Sequence, residues 1–271
     1  MTSLRRMQMA AHVSESEPET DSVDFDNSTA VSKDSGMTGI SSSKSGMMST
    51  WVNFHSFQGQ NWILRCSQGS ILFSVLANGY LEFTLKNTDV GGGNGGNIWP
   101  SWTILHMVSN SAPALNIDTW YHIYVGWDLA NSRGWMYLND TNILAAGGTY
   151  VNTTMNYFYY DQNLIPQWSI STNYHDALSD YIDASMYDFY FNHTAYKDFS
   201  NVTNRRLFIK SNGKPEDLGS DGSTPTGSSP IMYLHNNAGD AGDDFKLNRG
   251  TGGDFEVQGA PLAISADSPN D

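Results

Sequence analysis

The dipeptide Asn78-Gly79 stands between two runs with strand character, Ile-Leu-Phe-Ser-Val-Leu-Ala at 71–77 and Tyr-Leu-Glu-Phe-Thr-Leu-Lys at 80–86. Asn-Gly flanked by β-rich runs is the strongest short-range hairpin signal, because both residues tolerate the positive φ of a tight turn. In the second run Leu81, Phe83 and Leu85 point one way, and Tyr80, Glu82, Thr84 and Lys86 the other. A period of two with one apolar face describes a half-buried antiparallel strand, which needs a second layer to cover it.

The same pattern recurs along the chain. Trp-Tyr-His-Ile-Tyr-Val-Gly-Trp at 120–127 is followed, after a short polar link, by Gly-Trp-Met-Tyr-Leu at 134–138, and Tyr121, Ile123, Val125 and Trp127 share a face. Further strands are expected at 50–55, 62–65, 102–108, 165–170, 186–192, 206–209, 231–234 and 255–257. No stretch has a long helical period, and the glycine run at 91–96 reads as a loop between strands. Many short strands with Gly and Asn turns imply an all-β sandwich or jelly roll.

Residues 1–46 have a different texture. Ser, Thr, Glu and Asp dominate, and the large apolar groups are scattered: Leu4, Met7, Met9, Val13, Val23, Phe25 and Val31. Such a segment buries too little apolar surface to offset its own ordering entropy. It is therefore expected to be an extended assembly arm laid along a neighbouring subunit, with residues 47–271 forming the sandwich.

Charge excludes several partners. There are 14 Lys and Arg against 28 Asp and Glu, a net charge of −14. That disfavours the phosphate backbone of nucleic acids and anionic lipid surfaces. No apolar run approaches the roughly 18 residues of a membrane span. Arg5 and Arg6 are not followed by an apolar stretch, so no secretory signal is expected. Cys66 is the only cysteine, which excludes an intrachain disulfide and a multi-thiolate zinc site.

Three segments carry a family resemblance: Asp-Thr-Trp-Tyr-His-Ile-Tyr-Val-Gly-Trp-Asp at 118–128 with Trp-Met-Tyr-Leu-Asn-Asp at 135–140, Tyr-Ile-Asp-Ala-Ser-Met-Tyr-Asp-Phe-Tyr-Phe at 181–191, and the Gly, Ser and Pro-rich stretch 211–230 closed by Asn-Arg-Gly-Thr-Gly-Gly-Asp-Phe at 248–255. In this order they resemble the concanavalin A-like lectin and glucanase superfamily, in its laminin-G-like branch. Tyr181 stands where the branch motif has glycine. The last stretch is similar to a sub-branch found in tailed-phage virion proteins. The resemblance implies a concanavalin A-like jelly roll. It also implies a non-enzymatic virion structural protein (a capsid decoration, head-fibre or tail-associated subunit) on the particle exterior. Such a subunit is expected to be homo-oligomeric, bound to other virion proteins through residues 1–46 and open to host-surface glycans.

The glucanases of the superfamily use a carboxylate pair on one strand, about 5 Å apart. Only Glu82 lies between residues 50 and 210 among the six glutamates, with no acidic partner within four positions. No catalytic residue is therefore expected, and glycan hydrolysis is the weakest reading. The histidines lack metal-ligand spacing, and His122 reads as a packing histidine. The resemblance allows calcium, with Asp183, Asp240, Asp243 and Asp244 as candidate oxygen ligands, the alternative being a solvated acidic loop. Trp99, Trp102, Tyr159, Tyr160 and Asp161 are candidates for a carbohydrate site, since sugar faces stack on aromatic rings and carboxylates bind hydroxyls. With eight Trp and 14 Tyr in the chain, the favoured alternative is that these rings fill the core or a subunit interface. A carbohydrate-binding adhesion module is thus the alternative to the virion protein.

Overall fold

The computed structural model describes residues 21–57, 61–66, 70–77, 79–86, 103–109, 115–151, 167–172 and 181–271. Their hydrogen bonds close two eight-stranded antiparallel sheets. Sheet A contains β1 (Val23–Asp26), β3 (Ser45–Phe54), β8 (Trp120–Asp128), β9 (Arg133–Leu138), β10 (Thr141–Asn142), β13 (Asp183–Asn192), β14 (Met232–His235) and β16 (Ala263–Ile264). Sheet B contains β2 (Thr29–Lys33), β4 (Asn61–Cys66), β5 (Ile71–Val75), β6 (Leu81–Lys86), β7 (Thr103–Ser109), β11 (Leu144–Val151), β12 (Trp168–Ile170) and β15 (Glu256–Gly259). The order across sheet A is β10-β9-β8-β3-β13-β1-β16, with β14 also on β13; across sheet B it is β11-β7-β6-β5-β4-β12-β2-β15. Among the described residues no helix is long and apolar enough to cross a membrane.

The inner faces of the sheets meet in one cluster. Leu81, Phe83 and Leu85 from β6 join Tyr121, Ile123, Val125 and Trp127 from β8, as the alternation requires. Aromatic contacts bridge the layers. The Trp127 ring stacks on Phe83 at 5.2 Å, and Phe191 meets Trp127 at 6.1 Å and Trp168 at 5.6 Å. Such pairs add about 0.5–1.5 kcal/mol each beyond the area they bury.

The expected hairpins form, with one change of turn. β5 and β6 pair from Ile71↔Leu85 to Val75↔Leu81. Leu76 N–H then donates to Tyr80 O at 2.8 Å, and Gly79 N–H to Leu76 O at 2.7 Å. The connection therefore spans residues 77–79 rather than a two-residue Asn-Gly turn, with Gly79 at φ 79°. A three-residue loop of this kind needs one left-handed residue at its end, and glycine takes that conformation without strain. Asn78 lies outside the described residues. Gly79→Val should cost roughly 1–3 kcal/mol, read as a lower urea or thermal midpoint; an unchanged midpoint would count against the turn. β8 and β9 pair from Asp128↔Arg133 to Ile123↔Leu138, and the Asp128 side chain caps the 3-10 turn Leu129–Asn131 between them.

The arm is the main correction. β1 lies between β13 and β16, and β2 lies between β12 and β15. Val23, Phe25, Ala30, Val31 and Met37 are 0% exposed and belong to the interior. The sandwich therefore starts by residue 22, not 47. These few apolar groups are held by strands distant in sequence, so ordering them costs less than an isolated segment would require. Residues 1–20, the remainder of the expected arm, lie outside the described residues.

A second correction concerns residues 206–209, which are not a strand. Asn201 accepts the Thr203 N–H at 2.9 Å and caps α1 (Val202–Arg205). Phe208 N–H and Ile209 N–H then donate to Arg205 O. Asp140 pairs with Arg205 and Arg206 and ties this turn to the β9–β10 end. Cap and ion pairs together hold the chain in a helical turn where alternation alone suggested extension. The segment covers the outer face of sheet A with a second apolar cluster: Phe199 stacks on Tyr124 at 3.4 Å, Tyr196 on Trp135 at 5.0 Å, and Phe208 lies edge-on to Tyr190 at 5.6 Å.

Candidate functional site

Beside this outer layer, sheet A keeps a cleft of about 220 Å³, lined by side chains of β13, β14, the 215–220 loop and the C-terminal segment. An irregularity in β13 shapes it. Met186 and Phe189 both point into the main core although they are three positions apart, which strict alternation forbids. The register shifts between Met186 and Asp188 against β3, the mark of a bulge. Tyr187 and Asp188 consequently both leave the core face. Asp188 closes the bulge by accepting the Trp51 N–H at 3.2 Å, while its own carbonyl accepts the Thr50 hydroxyl at 2.6 Å. Burial lifts the Asp188 carboxyl to about 7, opposed by the Trp51 hydrogen bond.

On β14, Tyr233 and His235 alternate outward between Met232 and Leu234, and His235 sits opposite Asp188. The Tyr233 and His235 rings stack at 5.3 Å, and Tyr187 meets His235 edge-on at 5.7 Å. Gly222 is needed against this floor: its φ is 72°, and a Cβ there would sit 2.9 Å from the Tyr233 ring. Burial, with the nearby Arg249 guanidinium, holds His235 neutral, its pKa lowered to about 4. His235 is 8% exposed, and its Nδ1 has no hydrogen-bond partner among the described residues.

The rim is polar. Asp217 Oδ1 accepts the Gly219 N–H at 2.8 Å, and Glu216 Oε1 accepts the Asp217 N–H at 3.4 Å. Asn270 Nδ2 donates to the Tyr187 hydroxyl at 3.2 Å, while Lys214 Nζ donates to Asn270 O. An apolar aromatic floor under convergent polar groups suits a small polar ligand. A second depression, about 390 Å³, lies at the β8–β9 end beside Arg133, Trp135 and Asp198. It gathers fewer polar groups, and Tyr196 already covers the Trp135 ring.

The sequence candidates fall elsewhere. Trp99, Trp102, Tyr159, Tyr160 and Asp161 lie outside the described residues. Each of the four aspartates offered as calcium ligands is engaged within the chain. Asp183 Oδ2 accepts the Ser56 hydroxyl at 2.7 Å. Asp240 Oδ2 accepts from Asn237 and from Arg249 Nη2, the latter at 2.9 Å. Asp243 and Asp244 accept the backbone N–H groups of Leu262 and Ala241. Their oxygens cap loops, and no group of three or more His, Cys, Asp or Glu side chains among the described residues has metal-ligand geometry. Glu82 pairs with His106 across the sheet at 2.8 Å. His122 is 0% exposed, with Nε2 on the Ser49 hydroxyl at 2.8 Å and its ring between Trp51 and Phe208; burial lowers its pKa to about 3.

No protein-family model matches the sequence, and no curated protein matches it. Solved structures do match in shape. A Bacteroides ovatus protein whose suggested role is carbohydrate binding superposes with a TM-score of 0.58 at 15% identity, over 92% of this chain and 60% of that one. The chain thus spans three-fifths of that protein's length. The heptameric SAP-like pentraxin of Limulus polyphemus superposes with a TM-score of 0.52 at 11% identity, over 92% of this chain and 96% of that one. At these identities the likeness is one of architecture, and it agrees with the strand order and the layered core: the chain has the concanavalin A-like jelly-roll fold.

Proposed function

We propose that this chain is a non-catalytic carbohydrate-binding domain whose ligand sits in the cleft over β13 and β14. The observation that carries the reading is the cleft itself: Tyr187, Tyr233 and His235 form a floor on which hydroxyl-binding groups converge. The suggested carbohydrate role of the Bacteroides ovatus protein supports the reading by analogy of fold only. Glu216 and Asp217 serve as turn caps, and Glu82 is spent on His106, which leaves none of them posed as an acid and nucleophile pair. The narrower reading, a subunit on a phage particle, is favoured by the likeness of residues 211–255 to tailed-phage virion proteins.

A glycan array tests the domain directly. Binding is expected for at least one glycan class, without release of reducing sugar. Asn237→Ala, at an exposed position on the rim, should weaken that binding about tenfold or more and leave the melting temperature unchanged. Binding indifferent to this change would place the site elsewhere. Hydrolysis of the bound glycan would overturn the non-catalytic assignment.

A further inference from the structure

We infer, resting on the reading of this cleft as a glycan site, that it takes one sugar residue at the end of a chain or branch and excludes the interior of a polysaccharide. Walls close the cleft at both ends along β13. One wall is the segment 265–271, which crosses the outer face of sheet A from strand to strand. Ser265 Oγ lies 3.0 Å from Ser185 Oγ on β13. Asp267 Oδ2 accepts Asn53 Nδ2 of β3 at 3.2 Å and Trp120 Nε1 of β8 at 3.0 Å, and the Asp267 carbonyl accepts the Ser22 hydroxyl. Ser185, Asn53 and Trp120 are register partners on neighbouring strands, so the segment runs across the sheet at one level. Asn270 completes this wall: its Nδ2 donates to the Tyr187 hydroxyl at 3.2 Å, and its carbonyl accepts Lys214 Nζ from the 210–215 turn.

The opposite wall is the outer apolar layer. Tyr190, the next outward ring of β13 after Tyr187, is buried against Phe208 in one cluster with Leu218. The side toward β3 is filled as well, by Ile209 packed with Trp51 and Tyr187. The open floor therefore runs from Tyr187 to Tyr190, about 10 Å of strand at about 3.3 Å per residue. Its volume of about 220 Å³ falls below the roughly 300–1,000 Å³ of sites that enclose drug-sized ligands. That room suits one pyranose ring on the stacked Tyr233 and His235 rings, with no through-groove for further units on both sides of it. A residue inside a polysaccharide has such units on both sides. A terminal residue has them on one, and the exposed rim at Asn237 lets that single continuation leave.

The test is calorimetric titration of the full chain with soluble linear ladders of one to six units of glucose, galactose, mannose and N-acetylglucosamine. For a ladder that binds, affinity should level off by the second unit and stay within about threefold out to the sixth, because added units find no contacts to offset their ordering. Asn270→Ala combined with Lys214→Ala unpins the wall from Tyr187 and from the 210–215 turn. With circular dichroism unchanged, this variant should gain a several-fold rise in affinity between two and six units; a plateau kept in it overturns the role given to segment 265–271. If the parent chain itself shows a rise of about tenfold or more between two and six units, and that binding falls on Asn237→Ala, the cleft is a glycan site and end-recognition is wrong. If no ladder binds, or binding is indifferent to Asn237→Ala, the glycan reading of the cleft fails, and the inference with it.

Discussion

A chain lacking residues 1–46 should fail to fold, whereas one lacking only residues 1–20 should keep a cooperative thermal transition. The longer deletion removes β1 and β2, both internal strands. Without β1, β16 loses its partner; without β2, β15 loses its own. Val23, Phe25, Val31 and Met37 leave the core as well, and each fully buried side chain of this size contributes about 1.5–3 kcal/mol. Together that is about 6–12 kcal/mol, against a total stability for a typical domain of about 5–15 kcal/mol. The deletion also leaves unpaired N–H and C=O groups along β13 and β12. The shorter deletion removes none of the described strands. Circular dichroism and thermal melts of both truncations decide the matter; a cooperative melt from residues 47–271 alone would contradict the placement of β1 and β2.

Acidification from pH 6.5 to 4 should destabilise the protein steeply. Three buried histidines are kept neutral: burial lowers His122 to about 3, and His193 and His235 to about 4, with Arg249 assisting at His235. The sign follows from proton counting. Between the unfolded value near 6.5 and these folded values, the unfolded chain binds protons that the folded chain refuses, so stability falls as pH falls. Asp188 opposes them. Its folded pKa of about 7 lies above the unfolded 3.8, so the folded chain holds an extra proton in the same window and stability from this group rises as pH falls. Three groups against one leave a net uptake on unfolding of up to about two protons, or about 1–3 kcal/mol per pH unit. Urea midpoints at pH 7, 5.5 and 4.5 measure it. His122→Phe keeps the ring stack with Trp51 and Phe208 but strands the Ser49 hydroxyl. It should cost roughly 1–3 kcal/mol at pH 7 and flatten the acid limb. An acid limb as steep as that of the parent protein would remove His122 from the account.

What the sequence shows depends on how far away the partner lies. The β5–β6 and β8–β9 hairpins were legible because alternation and turn chemistry are local. Only the turn of the first was misread, since Asn-Gly can close a two-residue loop or end a three-residue one. Residues 21–46 were misread for the opposite reason. Val23-Asp24-Phe25-Asp26 alternates in period two, and Asn27 turns with φ 62° into β2, but four residues of pattern drown in a window rich in Ser and Thr. Their strand partners lie far along the chain, where no local signal reaches. The cleft was hidden similarly. Tyr187 and Asp188 depend on a bulge, and bulges leave no spacing signature until the register is known. A trace did exist: β8 carries His122 and Tyr124 opposite its core face, and β9 carries Trp135 and Tyr137. A strand apolar on both faces is buried on both, and that alone asked for an outer layer.

The position of β1 has a consequence for biosynthesis. Val23 pairs with Met186 on one side and with Ile264 on the other. Once made, β1 therefore waits for partners synthesised far later in the chain, on the order of ten to fifty seconds at about 5–20 residues per second. During that interval Val23, Phe25 and Val31 have no native strand to pair with. Long-range pairing of this kind is slow and exposes the nascent chain to aggregation. The sandwich closes only after β16 has been made, so a ribosome stalled before residue 263 carries an unfinished sheet A.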